Sequence, residues 1–196
     1  IGGAGGTEIA DHPAHGVVFR GEAAGTLADV DVHDAGSAAV WAKTTGNIVV
    51  KNGRYAESRY GLRCKGATRV EIDGATVAKN ARSGIRFQST GSLNVRGATL
   101  ARNEHYQVRV DRNASVLDLG TDTDGGDNIF INESQWAFAI YDNRPKRSSA
   151  TGRRLKAAGN IYRSANFGLV FDQSSLDGTT VTGPATYENA SAGDPK

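Results

Sequence analysis

The stretch RVEIDGATVAKNARSGIRFQ, residues 69–88, is followed directly by a near copy of itself, SLNVRGATLARNEHYQVRVD. Gly74-Ala75-Thr76 recurs as Gly97-Ala98-Thr99, and Phe87 recurs as Val110, in each case 23 residues later. A fixed short period is typical of repeat architectures, in which each repeat buries its apolar face against the next one. The repeat therefore limits the fold more strongly than any other feature of this chain.

The register of this repeat extends in both directions and gives seven triplets whose first and third residues are apolar. They are Val17-Val18-Phe19, Ala39-Val40-Trp41, Leu62-Arg63-Cys64, Ile85-Arg86-Phe87, Val108-Arg109-Val110, Ala139-Ile140-Tyr141 and Leu169-Val170-Phe171. Alternation of this kind indicates a strand with one buried face. We therefore expect the third residue of each triplet to point inward, with Cys64 acting as a small core residue.

Two further apolar ladders share the period. One consists of Leu27, Val50, Ile72, Val95 and either Leu117 or Leu119, and the other of Val32, Tyr55, Val77 and Leu100. Three short strands per period leave no room for a helix, and glycines such as Gly61 and Gly84 suit corners that need positive φ. Each strand can then pair in parallel with its equivalent one coil later, and parallel crossovers are right-handed.

The pattern thus predicts an all-β fold, a right-handed parallel β-helix of about seven rungs. The L-x-x-L-x-L frame of leucine-rich repeats is missing from the sequence. We expect a single domain over 1–196, with an N-terminal cap or linker at 1–15, repeat coils at 16–172, and a partial coil and tail at 173–196. The two longer coils predict protruding loops at 120–128 and 143–154.

The repeat resembles the right-handed β-helix proteins of the pectin-lyase-like superfamily over residues 16–172. More narrowly, SVLDLGTDTDGGDNIFINES followed by LKAAGNIY is similar to the closing coils of a β-helix family of unassigned function from bacterial surface proteins. The resemblance implies an extracellular or cell-surface location. It does not define a function, because the superfamily includes lyases, hydrolases, epimerases, adhesins and inert stalks.

Basic residues recur at the outward positions of the predicted main sheet. Arg63, Arg86 and Arg109 occupy equivalent positions, as do Arg59, Arg82 and His105, and then Lys79 and Arg102. Stacked one rung apart, they would form an electropositive patch suited to an acidic polymer such as a uronate-containing polysaccharide. The alternative is a solvated basic face that Glu57, Glu71 and Glu104 neutralise.

Carboxylates follow in a neighbouring column. Arg20, Ala42, Lys65, Gln88, Asp111, Asp142 and Asp172 are expected at equivalent positions. Three stacked acids would suit a glycoside hydrolase or a Ca²⁺ site, whereas the simpler interpretation is that each Asp ends its strand in a turn. His105, Tyr106 and Arg109 supply residue types that a polysaccharide lyase needs, namely a base and a cation.

Other motifs argue against metals and nucleic acid. The segment 118–128, DLGTDTDGGDN, departs from the EF-hand pattern at Gly120 and favours a turn. Met is absent and the four His are scattered, which disfavours a copper site. The basic loop at 143–156 has no interleaved aromatic residues, which disfavours nucleic acid. Apart from Ca²⁺, no metal or cofactor is expected.

Length and charge narrow the function only slightly. The 196 residues carry 23 basic and 21 acidic side chains, and no apolar run is long enough to span a membrane. The chain starts at Ile1 and has no Met, so we expect a piece of a longer parent chain. We predict a non-catalytic secreted or cell-surface module that binds acidic polysaccharide or acts as a spacer. The alternative is a polysaccharide lyase or glycoside hydrolase acting on uronate-containing glycans.

Overall fold

A computed structural model describes residues 6–111, 116–121, 123–133, 138–142, 153–164, 179–182 and 185–189. These residues form 21 strands, which belong to three sheets. None of them forms a helix that could serve as a membrane span.

The eight-stranded sheet contains β1 (Thr7–Ile9), β4 (Val30–His33), β7 (Arg54–Ala56), β10 (Thr76–Ala78), β13 (Thr99–Ala101), β16 (Ile129–Asn132), β19 (Asn160–Ser164) and β21 (Ala185–Asn189), in that order. The six-stranded sheet contains β2 (His15–Gly21), β5 (Ala38–Thr44), β8 (Tyr60–Gly66), β11 (Ser83–Ser89), β14 (Tyr106–Val110) and β17 (Phe138–Asp142). The seven-stranded sheet contains β3 (Gly25–Ala28), β6 (Asn47–Lys51), β9 (Arg69–Asp73), β12 (Ser92–Arg96), β15 (Val116–Asp118), β18 (Arg153–Lys156) and β20 (Thr179–Thr182).

The chain winds as a solenoid, because the spatial neighbours of most strands are the strands three places before and after them in the chain. Every described pairing is parallel, so each coil stacks on the coil before it. This confirms the parallel β-helix that the 23-residue repeat predicts. The predicted loop at 143–154 lies mostly outside the described residues, and its last two residues begin β18.

Three columns of apolar side chains fill the interior, and the ladders expected from sequence run through them. The eight-stranded sheet contributes Val32, Tyr55, Val77, Leu100 and Phe130, and the seven-stranded sheet contributes Leu27, Val50, Ile72 and Val95. In the six-stranded sheet Phe87 lies between Cys64 and Val110, and all three are buried. Leu117 pairs with Leu93.

Two predicted triplets are wrong by one residue. Trp41 pairs with Val18 and Arg63, so it belongs to the outward column, while buried Ala42 takes the inward place between Phe19 and Cys64. Tyr141 likewise pairs with Arg109 and not with Val110. Ala38 and Ala42 flank the first triplet, so its alternation pattern fits either register, and the bulky amphipathic ring takes the outer side. The second triplet follows a longer coil, so its register cannot be read from the spacing. The seventh triplet, Leu169-Val170-Phe171, lies outside the described residues.

Columns of buried polar side chains hold the corners between sheets. At one corner the Oδ1 of Asn103 accepts hydrogen bonds from the backbone N–H and the side-chain amide of Asn80, at 3.1 and 2.8 Å. Gln107 continues this column by donating from Nε2 to Asn132 Oδ1 at 2.7 Å. Corner backbone groups cannot join a sheet ladder, so these amides satisfy groups that would otherwise be buried without partners.

Glycine has two different roles at the corners. Gly74 and Gly97 have positive φ, and Asn52 adopts the same conformation one coil earlier. The prediction of positive φ at Gly61 and Gly84 is wrong. Gly61 is needed for space instead, since a Cβ there would overlap Val77 and lie 2.7 Å from the carbonyl oxygen of Gly84.

Candidate functional site

The outward column of the six-stranded sheet brings together the residues with the clearest functional character. In register it contains Val18, Trp41, Arg63, Arg86, Arg109 and Tyr141. The predicted stack of Arg63, Arg86 and Arg109 is thus confirmed, with neighbouring strands about 4.8 Å apart. We define the arginine face as these three arginines together with Trp41, Tyr60, Tyr106 and Tyr141.

Aromatic rings support the guanidinium groups of this face. The Cζ atoms of Arg63 and Arg86 lie 5.4 and 5.7 Å from the ring centroid of Tyr60, and Arg86 Nη1 donates a hydrogen bond to the Tyr60 hydroxyl at 3.0 Å. Arg109 Cζ lies 5.4 Å from the Tyr106 centroid and 5.3 Å from that of Tyr141. Cation–π contacts of this length orient an arginine without neutralising it.

The cations also change the acidity of the Tyr60 phenol. Burial raises the pKa of Tyr60, but the hydrogen bond from Arg86 and the charges of Arg86, Arg59 and Arg82 outweigh it, so the pKa lies below its ordinary value. Phenolate character is favoured because positive charge surrounds the hydroxyl. The effect on Tyr60 therefore gives a second indication that this face is electropositive.

One carboxylate partly neutralises the face. Asp111 accepts a hydrogen bond from Arg86 Nε at 3.3 Å through Oδ2 and another from Arg109 Nε at 3.1 Å through Oδ1. Arg63 has no ion pair within the described residues, and its Nε is buried without a hydrogen-bond partner there. The expected neutraliser Glu57 contacts one cation of the predicted patch, Lys79, at 4.0 Å, and it also pairs with Arg54 at 2.7 Å. Positive charge is therefore concentrated at Arg63.

Trp41 closes the face at its N-terminal end. The ring of His15 stacks on Trp41 with centroids 4.8 Å apart and an interplanar angle of 12°, and Arg20 Cζ lies 5.2 Å from the Trp41 centroid. Burial lowers the pKa of His15, and the charges of Arg63, Arg20 and His12 lower it further. The imidazole is therefore held in its neutral form near pH 7.

The remaining predicted binding residues surround this face or lie away from it. Arg59 and Arg82 are exposed, and Arg59 Cζ lies 5.7 Å from the Tyr60 centroid. Arg102 sits at a corner with positive φ and pairs with Glu133 at 2.7 Å, so its charge is directed to a different partner.

The candidate catalytic residues separate into two groups. His105, Tyr106, Arg109 and Asp111 lie on one coil, with the His105 and Tyr106 centroids 6.2 Å apart. The expected acidic column does not form as predicted, because Asp142 pairs with Val110 and not with the position of Asp111. The longer coil before β17 shifts the register by one residue. At the other end of this column, Lys43 pairs with Arg20 and Lys65 in place of the predicted Ala42. Asp172 lies outside the described residues.

Two acidic clusters lie elsewhere. His33 Nδ1 contacts Asp34 Oδ2 at 2.6 Å, and these two residues and Glu57 bring ligand-type atoms within 4.8 Å of one another. In the predicted turn, Asp118 and Asp124 both accept hydrogen bonds from Arg96, and Asp118 also accepts one from the N–H of Gly120. Each cluster is an ion-pair network with its own protein partners.

The sequence singles out Tyr106 beside Arg109, but it does not reveal the contribution of Tyr60, Trp41 and Tyr141 to the arginine face. Tyr60 and Tyr106 occupy the same column two coils apart, with Ser83 between them, so the repeat itself contained this signal. The sequence pattern places Trp41 and Tyr141 inward, one residue out of register, and so does not predict their position on this face.

Comparison with known families agrees with the geometry. Residues 5–183 match the family model described as a right-handed β-helix region. Because the match covers most of the chain, the protein belongs to the right-handed β-helix family, and the predicted handedness is confirmed. Comparisons with curated proteins and with solved structures return no match.

Proposed function

We propose that the protein is a non-catalytic module, from a secreted or bacterial cell-surface protein, whose arginine face binds an acidic polysaccharide. The observation that carries this proposal is the charge balance of the face. Arg63, Arg86 and Arg109 stack in one column, and Asp111 pairs with only two of them. A polymer with regularly spaced carboxylates would supply the missing negative charge.

The aromatic rings favour a glycan over other polyanions. Carbohydrate and other small-ligand sites combine aromatic surfaces with a few convergent polar groups. Trp41 and Tyr141 lie in register with the arginines and are partly exposed, so each offers ring surface next to a guanidinium. Arginine binds a carboxylate through two parallel hydrogen bonds. A uronate sugar carries such a carboxylate beside its ring.

The same geometry argues against catalysis at this face. Asp111 is held by two arginines, so its carboxylate is engaged in ion pairs and is poorly placed to act as a base. The coils that carry Arg63 and Arg86 are 23 residues long, and strands and corners use most of that length. Little chain is left there to build the walls of an active-site cleft.

Polygalacturonate binding tests the proposal. Affinity electrophoresis and calorimetry should show binding that weakens as salt increases, with no affinity for neutral dextran. Arg63→Gln should weaken binding about tenfold, which is 1.4 kcal/mol. The matched control is Arg69→Gln, an exposed arginine on the seven-stranded sheet with the same change of charge, and its affinity should stay within about twofold of wild type.

Two results would contradict the proposal. One is an equal loss of affinity in both arginine variants, which would indicate attraction to net charge alone. The other is release of unsaturated product, followed by ultraviolet absorbance, that disappears in His105→Ala. That second result would establish the lyase alternative.

A further inference from the structure

Two buried polar atoms without partners lie near the Trp41 end of the arginine face. Within the described residues, neither His15 Nδ1 nor Arg63 Nε has a hydrogen-bond partner. A buried polar group in this state destabilises the fold, and native proteins contain few of them. Their occurrence on one surface indicates that an acceptor from outside the chain completes the site.

Three consecutive strands of the six-stranded sheet build this end. His15 lies on β2, Trp41 on β5 and Arg63 on β8, and Trp41 is the direct register partner of Arg63. The His15 ring stacks on Trp41, and Arg63 lies on the strand next to Trp41, with its Cζ 5.4 Å from the Tyr60 centroid. The Trp41 ring therefore offers an apolar surface between the His15 imidazole and the Arg63 guanidinium.

Among the described residues, the charged groups that act on the pKa of His15 are basic. They are Arg20 on its own strand, Arg63 from β8 and His12 from the segment before β2, while Trp41 from β5 carries no charge. A group surrounded only by cations and holding an unpaired nitrogen is complementary to an anion.

We propose that His15, Trp41 and Arg63 form a subsite for one carboxylate-bearing sugar of the polysaccharide, and that His15 takes up a proton when this sugar binds. This inference rests on the proposed function. It assigns one sugar of the polysaccharide to a defined subsite and predicts that proton uptake accompanies binding. Arg63 Nε–H and the protonated His15 Nδ1–H donate to the carboxylate, and the sugar ring packs on Trp41. The proton comes from solvent, so protein, ligand and one H⁺ form the complex.

The direction of the linkage follows from the charges. In the free protein, burial and three neighbouring cations lower the pKa of His15. A bound carboxylate offsets those cations and raises it. At a pH between the two values, binding takes up a proton and affinity increases as pH falls. The trend continues only while the sugar carboxylate, which ordinarily titrates near pH 4, remains ionised.

Calorimetry with polygalacturonate at pH 5.5 and pH 8.0, in two buffers of different ionisation enthalpy, tests this subsite. Wild type should bind at least about fivefold more tightly at pH 5.5, and its heat of binding should depend on the buffer. His15→Gln should lose both effects, so that its affinity changes little between the two pH values. His33→Gln, at a histidine on the eight-stranded sheet that pairs with Asp34 and Glu8, should keep both.

The possible failures are distinguishable. If His15→Gln and His15→Asn, each with a wild-type urea midpoint, keep the pH dependence and the buffer dependence, the subsite is wrong while polysaccharide binding stands. If wild type binds no polygalacturonate at either pH, both proposals are wrong. If sulfated dextran binds with the same proton uptake and polygalacturonate does not, the assignment to a carboxylate is overturned.

Discussion

Arg63 and Arg86 are direct register partners on β8 and β11, yet within the described residues only Arg86 has a carboxylate partner. The difference arises one coil later, where Asp111 follows β14 and reaches back to Arg86 as well as to Arg109. Neutralisation therefore covers one end of the arginine column and leaves the other end charged. Ligand affinity and local stability both depend on this carboxylate, so its loss should change the two in opposite directions.

Asp111→Asn should strengthen polygalacturonate binding severalfold and weaken the fold. The substitution frees Arg86 and Arg109 for the ligand but removes an acceptor that is only 16% exposed. A loss of about 1 kcal/mol in the free energy of unfolding is expected. Asp118→Asn is the matched control, because Asp118 is 17% exposed and pairs with Arg96 on the seven-stranded sheet. It should destabilise to a similar degree without changing affinity, as measured by urea unfolding and calorimetry.

Gly61→Ala should destabilise the protein by about 1–3 kcal/mol, because the added methyl group overlaps Val77 and the backbone of Gly84. Gly97→Asn should change stability by no more than about 0.5 kcal/mol. Asn tolerates positive φ, and a Cβ at Gly97 would be no closer than 3.7 Å to its neighbours. Urea midpoints compare the two variants. Equal costs would mean that backbone conformation, and not space, determines where glycine is required.

His33 should make a contribution to stability that depends on pH. Hydrogen bonds to Asp34 and Glu8 raise its pKa in the folded protein, whereas the unfolded chain has the ordinary value of about 6.5. The protonated ring therefore stabilises the fold fully below that value, and the contribution is lost as pH rises through the folded pKa. The difference in unfolding free energy between wild type and His33→Gln should be larger at pH 5.5 than at pH 9. A difference that grows with pH would contradict the ion-pair assignment.

Cys64 should be chemically inert in the folded protein. Complete burial raises the pKa of its thiol to about 12, so the thiolate that reacts with electrophiles is scarce at neutral pH. Ellman's reagent at pH 8 should label Cys64 only after urea is added. Rapid labelling without denaturant would mean that β8 opens, and the inward column containing Phe87 would then be in doubt.

The regular part of the chain was predictable because its coils have nearly constant length. Between Cys64 and Val110 each coil is 23 residues, so Arg63, Arg86 and Arg109 could be placed in one column from spacing alone. The prediction of Phe87 beside Val110 is confirmed for the same reason. When the period is fixed, residues one period apart in the sequence are neighbours in space.

The errors fall where that constancy ends. The extra residues before β17 change the register, so Asp142 pairs with Val110, and spacing cannot show where a longer loop rejoins the sheet. At β5, Val40 and Ala42 flank Trp41 and Ala39 precedes Val40, so both registers put apolar residues inside. The shared use of Asp111 by two arginines was not predictable either, because it depends on side-chain reach and not on position in the repeat.

The corner columns have a consequence for how this chain can change length. Asn80 donates hydrogen bonds from its backbone N–H and its side-chain amide to Asn103 Oδ1. Each corner amide therefore needs a partner at the equivalent position one coil away. Losing one whole winding would leave equivalent corner partners facing each other, because the same corner amides recur one coil apart. Rods of this design can thus grow or shorten in whole windings, and each winding that carries an outward arginine would lengthen the charged strip by one position.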